Sequence, residues 1–345
     1  MRFRRVPLAE AEGHILGHNV SEGGRRLLRK GGRLSAADVA RLAEAGLTSV
    51  YVAEISPDDV NEDAAAERIA SALVGQSRGL SSKPLGTGRV ALRAAERGVV
   101  HVSLDGVVAL SSVPGVTLAT APAFSVAERG GLVATLKIIP FALPSASVER
   151  AVAIAAGAPL VVRPLVQQRV RLVVSGSRGQ ESKLLPAYRD SFARRLSALG
   201  QSDVAAEFVA LASEPEAELG AAIARQLDAG AGLVIVAGET ATMDRDDLTA
   251  VAVERAGGRV AAFGAPVFPG NLLLLAYRGA QAIVGAPGCA RARARNVVDL
   301  VLPRLLAGEQ LGPREVAALG PGGLIGGAAD SVEARDVTED DDAHG

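Results

Sequence analysis

The chain has 345 residues, 48% of them hydrophobic and 22% charged, with a mean hydropathy of +0.24. That is enough apolar surface for two or three cored domains and too much for a wholly disordered chain. Lys and Arg number 37 against 38 Asp and Glu, aromatics are 3%, Trp is absent and Cys289 is the single cysteine. This excludes a chain dominated by nucleic-acid binding, an internal disulfide framework and a multi-cysteine zinc site.

The chain opens MRFRRVPLAEAEGH, with no apolar run behind the basic residues of the kind a secretory signal needs. No run approaches the roughly 18 apolar residues of a membrane span. A soluble, cytoplasmic protein with no membrane partner is the expectation. Residues 1–75 read as a small α+β module. In it Ser35 caps an amphipathic helix that ends at Gly46, residues 48–55 form a strand and residues 61–74 a second helix. The Gly, Ser and Pro content of 76–88 reads as a linker. Residues 86–145 hold short β-type runs separated by Gly and Pro, as in a compact barrel or sandwich, and 146–157 is helical.

From about 160 to 310 the pattern changes to near-continuous apolar strands alternating with amphipathic helices. Strands are expected at 169–175, 204–211, 231–238, 272–277 and 281–288, and helices at 182–200, 214–230, 246–258 and 289–308, the first of these broken or begun at Pro186. That alternation means a mostly parallel sheet covered on both faces, an α/β domain. Residues 311–345 read as a loose end, with Gly-rich turns followed by an acidic tail from Asp330.

Ligands of such sheets bind at the carboxyl ends of the strands, and three loops there stand out. The first carries Gly176, Ser177 and Gly179, with Ser182 and Lys183 after it. It reads as an anion cradle or as an ordinary Gly-rich turn. The second runs from Gly238 through Thr240 to Asp244, Asp246 and Asp247. Its carboxylates suit a divalent cation, a general base or a plain helix cap. The third is Pro287-Gly288, followed by Arg291, Arg293 and Arg295. On a helix those arginines would oppose the dipole unless an anion sits beside them, and Arg291 and Arg295 would share a face; a solvated Arg-rich face is the other reading. His14 and His18 have i,i+4 spacing without a third ligand, and Cys289 reads as a small buried residue.

These loops resemble the molybdopterin-binding domain family, shared by the adenylyltransferase and molybdenumtransferase of molybdenum cofactor synthesis. The likeness covers 169–308. Gly238, Thr240 and Asp247-Leu248-Thr249 match its Gly-Gly-Thr/Ser loop and following aspartate, Pro269-Gly270-Asn271 and Pro287-Gly288 match its Pro-Gly turns, and Asp190-Ser191 matches its Asp-Ser-Asn element. The segments VPLAEAEGHILGHNV and LLRKGGRLSAADVARLAEAGLTSVYV are similar to parts of the molybdenumtransferase outside that domain. The family's Thr-Gly-Asp-Glu is Ser175-Gly176-Ser177-Arg178 here, the first Gly of its Gly pair is Ala237, its Asn is Phe192, and its last Asn is Cys289.

The resemblance implies a three-layer α/β/α domain that binds molybdopterin or the mature cofactor. The implied contacts are Gly176, Ser177, Gly179, Asp190, Ser191, Gly238, Thr240, Pro287, Gly288, Arg291 and Arg295. The implied role is cofactor maturation or delivery to a molybdoenzyme, in a homodimer. Its catalytic version inserts molybdate into adenylylated molybdopterin with Mg²⁺ at Asp244 and Asp247, Asp247 being the catalytic residue. A nucleotide pyrophosphatase-like protein and a scaffold with a degenerate pocket are further alternatives.

Overall fold

The computed structural model describes residues 1–76 and 79–325. The chain divides into two units, Met1–Pro164 and Leu165–Gly345. Among the described residues no helix is long and apolar enough to cross a membrane.

In the first unit, Ser49–Glu54 is the centre of a three-stranded sheet flanked by Arg2–Pro7 and Ile15–Leu16. Its inner face buries Val6, Val50, Val52 and Leu16 with Leu42 of the helix Ala36–Glu44. That helix begins in the expected way. Ser35 Oγ accepts from Asp38 N at 3.2 Å, and Asp38 Oδ2 accepts from Ser35 N at 3.2 Å, a reciprocal capping box.

A second core in this unit is mixed, not an all-β barrel or sandwich. Ile69 and Leu73 of the helix Glu62–Gln76 and Val148 and Ala151 of Ser145–Ala156 share it with strand residues Leu92, Val100 and Leu136. The expected linker is in part a strand: Leu80–Gly86 pairs antiparallel with Arg89–Ala94. It lies at the edge of its sheet, where Pro84 does not interrupt a ladder on both sides.

The second unit carries the α/β sheet. Its strands are β1 (Val170–Ser177), β2 (Val204–Leu211), β3 (Leu233–Gly238), β4 (Arg259–Phe263), β5 (Leu274–Arg278) and β6 (Gln281–Gly285). Its helices are α1 (Glu181–Ala198), α2 (Pro215–Asp228), α3 (Leu248–Arg255), α4 (Val298–Leu306) and α5 (Pro313–Ala317). The strand order is β2-β1-β3-β6-β5-β4, with β1, β2, β3 and β6 parallel and β5 antiparallel to both neighbours.

Alternate residues of one strand enter different cores, which explains the apolar runs. Leu172 and Val174 pack with Tyr188 and Phe192 of α1 and Val301 of α4, whereas Val173 packs with Ile223 of α2 and Val253 of α3. Helices therefore cover both faces in three layers.

Three expectations need correction. Helix α1 runs unbroken through Pro186 from Glu181. The closing helix does not span 289–308: a short 3₁₀ turn covers Gly288–Arg291, and α4 begins only at Val298. Asn296 is the reason, because its Oδ1 accepts from Val298 N at 3.1 Å and starts the helix there. The stretch after 311 is not loose over its described part, since Leu311, Val316 and Leu319 are buried in the core beneath α1 and α4. The acidic tail expected from Asp330 lies outside the described residues.

Candidate functional site

The connections leaving the parallel strands β1 and β3 lead to opposite sides of the sheet. Strand β1 leads through α1 to β2 on one side, and β3 leads through α3 to β4 on the other. In open α/β sheets such a point, outside the carboxyl ends of the strands, is where ligands bind. Register places Ser175 beside Gly238 and Val236 beside Gly285. The loops after β1, β3 and β6 therefore leave one sheet edge from three adjacent strands, a span of about 10 Å.

Gly176 and Ser177 are the last residues of β1, and the turn itself follows at Arg178-Gly179, where Gly179 has φ +90°. Gly176 is fixed by crowding. A Cβ there would meet Leu184 Cδ1 at 2.8 Å and Glu239 Oε2 at 3.3 Å. Glu239 lies against this strand end because its Oε2 accepts from both Ser177 N and Ser177 Oγ, each at 2.8 Å. These two donors, with Lys183 nearby, hold the Glu239 carboxyl below the ordinary carboxylate range. The first loop does present anion donors, and a side chain of the second loop uses them.

In the second loop, Gly238 O accepts from Tyr188 OH at 3.1 Å, and Glu239 N donates to Ser175 O at 3.0 Å. Burial of Tyr188 between α1 and the sheet pushes its phenol upward. Thr240 is exposed. Asp247 caps α3: its Oδ1 accepts from Leu248 N and its Oδ2 from Met243 N, both at 2.7 Å. Asp244 Oδ1 accepts from Asp246 N at 2.9 Å. Asp244 and Asp247 thus bond this loop's own backbone, while Glu239 reaches Ser177 of the first loop. Among the described residues no group of three or more His, Cys, Asp or Glu side chains is arranged to hold a metal ion.

The third loop is held from beneath by α1. Ser191 Oγ donates to Ala290 O at 2.7 Å and Ala292 O at 3.2 Å. The Arg195 guanidinium, 7% exposed, donates to Ala290 O at 3.2 Å, Ala292 O at 3.1 Å and Ala294 O at 2.9 Å, and its Nε pairs with Asp299 at 3.0 Å. Asn296 adds a bond to Ala294 O at 3.1 Å. Pro287 is buried, and Gly288 stands in the open: no atom lies within 4 Å of where its Cβ would be, and its φ is outside the left-handed region.

Arg291 and Arg295 are exposed on this loop, not on one face of a helix, so the argument from the helix dipole does not apply to them. Asp190 is exposed and pairs with Arg189 at 3.1 Å, while its neighbour Ser191 turns inward. Burial pushes the Cys289 thiol upward, which suits an inert residue. Beside the first loop, a cleft of about 700 Å³ opens between α1 and the edge strand β2, with Leu185, Pro186 and Phe208 as apolar walls and Arg178 and Ser182 at its polar side.

Sequence reasoning missed Arg195, and it read Glu239 only as one of the four acids of the second loop, not as a partner of the first. Both are charged residues on amphipathic or loop segments, and their partners lie about a hundred and 62 residues away respectively. A glutamate directly after the Gly of a strand-end loop, where small residues predominate, was the available signal for Glu239.

Comparison with known proteins gives two likenesses. Residues 5–54 match the family model described as Domain of unknown function (DUF8806). The crystal structure of the molybdopterin biosynthesis MoeA protein from Pyrococcus horikosii is similar at 15% identity, over 89% of this chain and 75% of that one, with a TM-score of 0.31. That score is too low to carry an inference about the site. No curated protein matches the chain.

Proposed function

We propose that the carboxyl edge of the six-stranded sheet binds molybdopterin or the mature molybdenum cofactor, and that the chain serves maturation of the cofactor or its delivery to a molybdoenzyme. One observation carries the reading: the resembling motifs around Gly176, Gly238 and Gly288 leave three adjacent strands at one edge. Two features support a ligand there. Ser177 offers an amide and a hydroxyl that already hold an oxyanion. Gly288 leaves bare backbone that no packing or φ requirement explains; a closely approaching ligand does.

Binding is favoured over molybdenum insertion. Mg²⁺ has no ready-made site among the described residues, where no three such ligands gather and the Asp247 and Asp244 oxygens already accept from backbone amides. No catalytic step is therefore assigned to Asp247. The same geometry offers nothing for metal-assisted cleavage of a dinucleotide.

The test is native mass spectrometry of the full chain purified from cells that make the cofactor. The expected result is a retained mass corresponding to the pterin, released on denaturation and fluorescent after oxidation. Protein found only at its polypeptide mass, and remaining so after incubation with molybdopterin, contradicts the proposal.

A further inference from the structure

The anion donors at the end of β1 are not free, and that bears on how a phosphorylated ligand enters. Ser177 N and Ser177 Oγ point at one oxygen of Glu239, at 2.8 Å each. The carboxylate rests over Gly176, close to where a side chain would begin. A carboxylate oxygen and a phosphate oxygen make the same demand on such a donor pair, that of a charged acceptor on an N–H and an O–H. Glu239 itself is exposed on the loop after β3, so its side chain can leave without disturbing a core. The cleft walled by Leu185 and Phe208, with Arg178, Ser182 and the Glu181 carboxylate at its side, opens from the residues that follow Ser177.

We infer that Glu239 is an internal occupant of an oxyanion subsite, and that a phosphate monoester binds at Ser177 by exchanging with it. The inference rests on the reading that this sheet edge takes a phosphorylated ligand, and it adds the specificity of the subsite. A neutral ligand cannot take the place of the carboxylate, and a monoanionic carboxylate only matches it. A dianionic phosphate outcompetes it, helped by Lys183 on the first turn of α1, whose charge already acts on Glu239. Glu239 thus sets a threshold of affinity that weak anions fail to reach.

The experiment titrates the full chain with inorganic phosphate and follows the Ser177 amide by NMR, in wild type, Glu239→Gln and Glu239→Ala. Removing the competing charge is expected to lower the half-saturating phosphate concentration at Ser177 about tenfold in both variants, the size of one partly solvated charge-assisted hydrogen bond. Acetate is expected to shift the amide in the variants and not in wild type. Equal phosphate affinity in all three proteins, or a Ser177 amide that phosphate does not move in Glu239→Ala, overturns the inference. The two claims fail separately. A protein that answers phosphate as expected but retains no pterin keeps the subsite and loses the pterin reading. One that retains pterin with an unmoved Ser177 amide does the reverse.

Discussion

Arg195→Ala is expected to lower the stability of the second unit by about 3 kcal/mol, the usual cost of removing one partner of a buried ion pair. For a unit of this size that is a fall of roughly 10 °C in Tm. The guanidinium spans Asp299 and the carbonyls of Ala290, Ala292 and Ala294. Its loss leaves the Asp299 carboxylate without its ionic partner and takes one donor from each of those carbonyls, with Ser191 and Asn296 left to hold the loop from Gly288 to Asn296. Arg195→Met separates the two contributions of the side chain. Methionine keeps most of the apolar stem and none of the donors, so it is expected to be nearly as damaging. Chemical denaturation checks both variants. Wild-type stability in Arg195→Met would assign the residue to packing alone.

Phe192→Asn is expected to cost more, about 4 kcal/mol, because it removes a fully buried ring and places an amide in its cavity. The substitution is informative because the resembling element carries asparagine at this place. If the position faced the ligand, asparagine would be tolerated and pterin retention would rise. The ring instead packs among Leu172, Val174 and Leu196, with Arg195 lying 6.0 Å over it. Phe192→Leu is expected to recover most of the lost stability. A denaturation midpoint for Phe192→Asn equal to that of wild type would show that the ring is not part of the core.

These two neighbours on α1 show where sequence stops being legible. The α/β layout was readable because a parallel strand buried on both faces is apolar at nearly every position, and 172–174 and 233–237 are such runs. The Ser35 cap was readable because it is local. The strand at Leu80–Gly86 was hidden, since an edge strand tolerates the serines, lysine and proline that elsewhere mark a linker. The helix expected through Arg291, Arg293 and Arg295 failed because alternating Ala and Arg have good helical propensity, while Asn296 and Asp299 make a start signal further on. At the site, the three loops were legible as Gly-bearing strand ends. Their supports were not: Arg195 looks like a surface residue of an amphipathic helix, and only the fold brings the carbonyls of the last loop onto it.

The role of Asp247 shows the same limit. Four acids in a short loop read equally as a metal site or as a cap, and Asp247 is seen as a cap, with bonds at 2.7 Å from Leu248 N and Met243 N. Spacing alone cannot tell which hydrogen bonds a carboxylate has already made.

The central claim is that loops after β1, β3 and β6 grip one phosphorylated pterin together. Its most direct measurement is the amide NMR spectrum of the full chain titrated with molybdopterin. Concerted shifts at Ser177, Glu239 and Gly288, saturating at one equivalent, are the predicted result. Shifts at one of these loops alone, or confined to the first unit, would contradict it.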